Sequence, residues 1–298
     1  MVTTNSASGL RRLLCLAGAC AMTLALAAGA IVLPAVPAHA ADPITAADQS
    51  YFAYYHLDQA RAKGYTGKGV TIALIDGEVD TTVPELAGAT IIDKSPCTVT
   101  SSPFSKTHGT AIASLLVSKT YGVAPDATLL TYRTSLADDG DESGNECTFR
   151  NGNPIEDPTS LINRAISDGA QIISISSSDE NFDDATKWAI ARADALGVIV
   201  VSPMGNDAKD ETNNGYSKWS GVVGVGAIDT TGKVADYSSW GQGTTTAAVG
   251  GPIIVRNYET GNKAAADGTS YSTPLIAGFL ALAKQKWPNA TNNQLLQL

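Results

Sequence analysis

Three residues carry side chains that together could break an acyl bond: Asp76, His108 and Ser270. A serine hydroxyl is a weak nucleophile until a neighbouring base takes its proton. Imidazole is the side-chain base suited to neutral pH, and a carboxylate can orient it and favour its charged form. Each residue alone has a plainer reading. An Asp before a glycine, here Gly77, is usually a turn residue, a lone histidine before an apolar helix is more often structural, and a serine at a helix start is more often a cap. Order and placement lift the set above its parts. The chain order Asp, His, Ser is one in which such sets occur, and each residue falls where a strand ends or a helix begins.

Those placements come from the surrounding pattern. Asp76 directly follows the apolar run Thr71-Ile72-Ala73-Leu74-Ile75. His108-Gly109-Thr110 precedes Ala111 to Leu116, an apolar helix, which puts the imidazole at a helix start. Ser270 lies in Gly268-Thr269-Ser270-Tyr271-Ser272-Thr273-Pro274 at the opening of a helix over Leu275 to Lys284, where main-chain N–H groups can stabilise an oxyanion. Val70 to Ile75, Ala127 to Tyr132, Gln171 to Ile175 and Val198 to Val201 read as buried strands. Between them, Asp157-Pro158 opens one helix. Phe182, Ala185, Ala189, Ala193 and Leu196 recur at helical spacing in the next, which Gly197 can end. Strand and helix in alternation predict a parallel α/β sheet, in which ligands bind outside the carboxyl ends of the strands.

The first forty residues follow another logic. Arg11 and Arg12 precede an apolar run from Leu13 to Leu33, and Ala38-His39-Ala40 offers a small-residue cleavage site before Ala41-Asp42-Pro43. This is the anatomy of a signal peptide, favoured over an uncleaved anchor by the cleavage site and the polar sequence after it. Export is therefore expected, with Ala41 as the mature start. Removing two arginines and no acidic residue takes the net charge from −9 to −11, which argues against nucleic-acid and anionic membrane partners. His39, Cys15 and Cys20 leave as well. Histidine chemistry must then use His56 or His108, and the two remaining cysteines, Cys97 and Cys147, become a candidate disulfide in an oxidising compartment. Residues 41–68 are too few for an independently folded pro-domain, and Phe52, Tyr54, Tyr55 and Leu57 suggest a segment packed on the main body. The acidic stretch Asp138 to Gly144 has a calcium-loop flavour, but Arg150 stands where a bidentate Glu is needed, so a solvated loop is expected and no metal or cofactor.

From about Gly64 to Pro288 the chain resembles the subtilisin-like serine peptidases. Gly67-Lys68-Gly69-Val70 with Ile75-Asp76 is similar to the family's aspartate block, His108-Gly109-Thr110 to its histidine block, and Gly268-Thr269-Ser270 with Pro274 to its serine block. Tyr121-Gly122-Val123-Ala124-Pro125 and Tyr237-Ser238-Ser239-Trp240-Gly241 resemble two further landmarks. The resemblance implies a three-layer sandwich with a central, mostly parallel sheet flanked by helices. It also implies a serine endopeptidase working through an acyl-enzyme on extended peptide or protein substrates. Asn206, alone a turn asparagine after glycine, aligns with the family's side-chain oxyanion donor. Ser176, Ser177 and Ser178 resemble the segment that pairs with substrate backbone and lines the primary pocket. Two departures concern turn geometry: Asp76-Gly77-Glu78 replaces the usual Asp-Ser/Thr-Gly, and Ala248-Val249-Gly250 the usual Ala-Pro-Gly.

The expected organisation is a signal peptide over 1–40, an N-terminal extension over 41–68 and a peptidase domain over 69–298 cut short at its C-terminus. Thr291 with Gln294 caps a last helix. Membrane contact is expected only if a tail anchor has been cut away. The expected lack of a pro-domain departs from secreted digestive relatives and resembles the mycosins of actinobacterial type VII secretion, which also lack one. Two alternatives stay open: a catalytically silent binding scaffold of the same fold, and a serine-carboxyl peptidase, which uses Glu and Asp where this chain has His108-Gly109-Thr110.

Overall fold

A strand buried on both faces needs a continuous apolar run, and the central sheet is assembled from such runs. The computed structural model describes residues 42–96, 101–134, 136, 157–177, 184–212 and 215–297. The strands are β1 (Thr71–Asp76), β2 (Thr90–Asp93), β3 (Thr128–Arg133), β4 (Ile172–Ile175), β5 (Ile199–Pro203), β6 (Val222–Ile228) and β7 (Thr244–Val249). They form one sheet in the order β2-β3-β1-β4-β5-β6-β7, with every neighbouring pair parallel. A separate antiparallel hairpin joins β8 (Ile253–Arg256) to β9 (Lys263–Ala266). The helices are α1 (Ser50–Tyr54), α2 (Leu57–Ala62), α3 (Pro103–Val117), α4 (Pro158–Ser167), α5 (Asp184–Ala195), α6 (Thr269–Lys286) and α7 (Asn292–Leu295).

Alternation along β1 divides the core. Ile72 and Leu74 join Leu116, Leu275 and other residues of α3 and α6 in one cluster, while Ala73 and Ile75 join Leu161, Ala165 and Ile190 of α4 and α5 in the other. The sheet is thus the middle of three layers, as expected from the sequence. By the same alternation Asp76 falls on the α3/α6 side, the side that supplies His108 and Ser270.

The helix signals have visible causes. Asp157 caps α4 by accepting from Ser160 N at 2.9 Å, with Pro158 in the first turn. Gly197 (φ 72°) lies just beyond α5. Thr291 and Gln294 form the capping box that opens α7. One expectation is corrected. His108 does not stand at a helix start, because α3 opens at Pro103, with Ser102 as N-cap accepting from Ser105 N at 3.0 Å. The histidine therefore lies in the second turn of α3, where it is buried.

Residues 42–62 lie against the α3/α6 core, which includes Ile44, Tyr51 and Leu57. Tyr51 donates to Tyr121 O at 2.9 Å, and Arg61 donates to the carbonyls of Lys119, Thr120 and Gly122 just beyond α3. Glu85 receives Ile44 N at 2.9 Å and pairs with Arg256 at 2.6 Å. Tyr55 accepts from Val249 N, whereas Tyr54, expected to pack, is exposed. The proposed signal peptide, Cys97, Cys147, the acidic loop with Arg150, Phe182 and Ser178 lie outside the described residues.

Candidate active site

Asp76 ends β1 in a fully buried position, and its Oδ1 accepts two hydrogen bonds: from Gly77 N at 2.7 Å and, at 2.8 Å, from His108 Nδ1 in the tautomer that protonates that nitrogen. Burial disfavours the imidazolium, but the charge of Asp76 and this hydrogen bond outweigh it and raise the His108 pKa above its ordinary value. The His108 ring lies between two aromatics. Phe104 stacks on it with ring centroids 6.0 Å apart, and Tyr271, the residue after Ser270, has its ring centroid 5.5 Å away.

The unusual Asp76-Gly77-Glu78 turn follows from this packing. A Cβ at Gly77 would sit 2.9 Å from Ser105 C and nearer still to Ser105 O, and one at Gly109 would meet the carbonyl oxygens of Gly77 and Glu78. Two glycines therefore let the exit of β1 lie directly on the backbone of α3, which brings Asp76 and His108 into contact. Glu78 turns to charged partners, Lys106 at 3.3 Å and Arg133 at 3.6 Å. The second departure has its own cause: Val249 N donates to Tyr55 Oη at 2.9 Å, a bond that the usual proline, with no N–H, could not make.

Ser270 is the second residue of α6, behind an N-cap glycine, Gly268, whose φ of 153° excludes most side chains. A Cβ at Gly268 would lie 3.2 Å from Ser270 Oγ and 3.3 Å from Asn206 Nδ2, so both atoms face one small space that the glycine keeps open. Asn206 follows β5 by three residues and is held by Thr269, whose N and Oγ1 both donate to Asn206 Oδ1, at 2.8 and 2.9 Å. Gly205 N in turn donates to Thr269 Oγ1 at 3.1 Å. With its oxygen engaged, the amide directs its Nδ2 donor into the Gly268 space. The lock on Asn206 comes from a residue 63 positions away in sequence and was missed by the sequence reading.

Of the residues singled out from sequence, Asp76 and His108 are hydrogen-bonded, and Ser270 and Asn206 share the Gly268 space. Ser270 reaches His108 through Tyr271 rather than by a hydrogen bond, as is common before substrate binds. Ser176 is buried just beyond β4, and Ser177 is half-buried. His56 is exposed, at the N-cap of α2. Among the described residues, no group of three or more His, Cys, Asp or Glu is gathered so as to hold a metal.

A sequence profile of peptidase S8, the subtilase family, matches residues 67–298. The chain belongs to the subtilase family. Over 253 residues it is 29% identical to a thermostable alkaline protease of Halalkalibacterium halodurans, covering 82% of this chain and 64% of that one. It is equally identical to subtilisin E of Bacillus subtilis, over 81% of this chain and 63% of the relative. The chain thus spans somewhat less than two thirds of the length of these curated relatives. Among solved structures, a prenylagaramide maturation protease superposes with a TM-score of 0.63 at 25% identity, over 80% of this subtilase and 84% of that chain. A cold-adapted subtilisin-like serine proteinase gives 0.61 at 22% identity, over 78% and 81%, a likeness of fold.

Proposed function

We propose that this subtilase is a serine endopeptidase in which Ser270 Oγ attacks a peptide carbonyl, His108 takes the serine proton and returns it to the leaving amine, and Asp76 orients and stabilises the imidazolium. The reading rests on one arrangement above all. The buried Asp76–His108 hydrogen bond lies beside a helix start where Ser270 Oγ and Asn206 Nδ2 face the same space. A tetrahedral oxyanion in that space would receive hydrogen bonds from Asn206 Nδ2 and the Ser270 N–H. Its collapse would expel the amine and leave an acyl-enzyme for water to hydrolyse. An extended substrate would add as a strand beside the segment Ser176, Ser177 and Ser178. Labelling of Ser270 by a fluorophosphonate, with cleavage of an unstructured protein at neutral pH, tests the reading. An unreactive Ser270 in a folded chain would favour the silent-scaffold alternative.

Asn206→Ala should lower kcat by roughly a hundred- to a thousand-fold with KM little changed, a magnitude that belongs to subtilisin itself. Steady-state kinetics on a peptide substrate check it. A change confined to KM would make Asn206 a substrate contact instead.

Export through a cleaved signal over 1–40 is part of the same proposal, supported by the Ala38-His39-Ala40 site. Among the described residues no helix is long and apolar enough to cross a membrane. On the export reading Cys97 and Cys147 form a disulfide closing a loop of 50 residues, worth about 4 kcal/mol on a chain-entropy account. Intact-mass analysis of the exported protein after alkylation should find no modified cysteine until reductant is added. Two thiols alkylated without reductant would remove the bridge.

A further inference from the structure

The three groups of the proposed triad ride on three elements: the end of β1, the second turn of α3 and the first turn of α6. The Asp76–His108 bond joins the first two directly. The third packs on α3 through the shared core and the His108–Tyr271 ring contact, and a further connection runs through the β8–β9 hairpin, because β9 ends at Ala266, only four residues before Ser270. The root of this hairpin is fixed where Gly268 N donates to Gly250 O at 2.9 Å. Its turn folds back over the other two elements, and the residue that makes those contacts is Tyr258.

Tyr258 N donates to Thr107 Oγ1 at 2.9 Å, one residue before His108. Tyr258 Oη donates to Asp80 Oδ2 at 2.9 Å, four residues after Asp76. Asp80 closes the ring, since its own N donates to Thr110 Oγ1 at 3.0 Å, two residues after His108. Lys106 Nζ lies 4.9 Å from the centroid of the Tyr258 ring and also reaches Asp80 at 3.4 Å and Glu78 at 3.3 Å. Burial resists ionisation of Asp80, but hydrogen bonds from Thr82 and Tyr258 and the charge of Lys106 hold its carboxyl down to about 2, so it accepts as a full carboxylate at neutral pH. Half-buried Tyr258 thus bonds on one side to the exit of β1 and on the other to α3, from the hairpin that leads into Ser270.

We infer that Tyr258 is a positioning residue for the triad, setting the distance of Ser270 from His108 by tying the hairpin turn to Thr107 and Asp80. The inference rests on the proteolytic reading above. Tyr258 touches no reacting atom, so its effect must appear in turnover rather than in substrate affinity. Small errors of placement are costly in such sites, because attack requires the reacting atoms within about 3–3.5 Å and aligned.

Tyr258→Phe removes one hydroxyl, keeps the ring beneath Lys106 and keeps the N–H to Thr107. It should lower kcat about three- to ten-fold, the range one net hydrogen bond spans when expressed as a rate, with KM unchanged. The second-order rate of fluorophosphonate labelling should fall by the same factor at temperatures where both proteins are fully folded. Asp80→Ala removes the acceptor and should reproduce the loss, and the double variant should be no slower than either single one. Losses that multiply in the double variant, a change confined to KM, or a lowered melting temperature with turnover intact would each overturn the inference. A wild-type chain that resists labelling would sink the proteolytic reading and this inference with it. A labelled wild type beside an equally fast Tyr258→Phe variant would sink this inference alone.

Discussion

Replacing Ser270 by alanine is expected to lower kcat about a million-fold while leaving the fold and peptide binding in place, the magnitude known for the nucleophile of subtilisin itself. The hydroxyl is separable from the structure that carries it. The start of α6 is organised by neighbours: Thr269 N and Oγ1 bond Asn206, and Gly268 provides the turn. Alanine is also at home in a helix, so the melting temperature should hold or rise slightly. Asn206 Nδ2 still faces the Gly268 space in the variant, and together with substrate binding it should sustain the small residual rate that such enzymes keep over water. Turnover of a peptide substrate, with circular dichroism and a binding measurement alongside, checks the result. Retention of even about a hundredth of the wild-type rate would remove Ser270 from the nucleophile's role.

Much of this site is legible in the sequence where local pattern and chemistry coincide. The Thr71 to Ile75 run marks a strand buried on both faces, so Asp76 could be placed at a strand exit without coordinates. The Gly-Thr-Ser sequence before an apolar run marks a helix start, and α6 does begin at Thr269. His108 was placed wrongly within its helix because the start signal, Ser102-Pro103, lies a turn and more upstream, ahead of the polar Ser105-Lys106-Thr107 stretch. Gly77 reads as turn chemistry, yet it and Gly109 are each needed because another element passes too close for a Cβ. The lock of Thr269 on Asn206 and the bonds of Tyr258 span 63 and about 150 or more positions, so no periodicity announces them. Strand β7 escaped for a different reason. It is an edge strand whose first residues, Thr244 and Thr245, are exposed, so it lacks the apolar run by which β1, β3, β4 and β5 are read.

Asp76→Asn should lower kcat about ten-thousand-fold, the figure for this substitution in another serine-protease triad rather than one derived from these distances. It should also move the acid limb of the pH profile downward. Asp76 Oδ1 accepts from both Gly77 N and His108 Nδ1, and an asparagine oxygen could in principle keep both bonds. What the amide lacks is charge. As Ser270 gives up its proton, His108 becomes an imidazolium in a buried site, and without the carboxylate nothing there offsets its lost hydration. The amide NH2 can instead turn toward Nδ1, which selects the tautomer with no free base facing the serine. Either way the base is disabled. The sign of the pH effect follows from the balance at His108, where burial lowers the pKa and the charge and hydrogen bond of Asp76 raise it further than burial lowers it. In the wild type, kcat/KM should therefore fall on the acid side with a midpoint above the ordinary imidazole value of about 6.5. Removing the Asp76 charge leaves burial unopposed, so the remaining activity of Asp76→Asn should persist to lower pH than that of the wild type. Rates of both proteins across the acid range, with folding verified at each pH, decide it. An unmoved midpoint, or a loss smaller than about tenfold, would show that Asp76 holds the turn to α3 without serving the chemistry of His108.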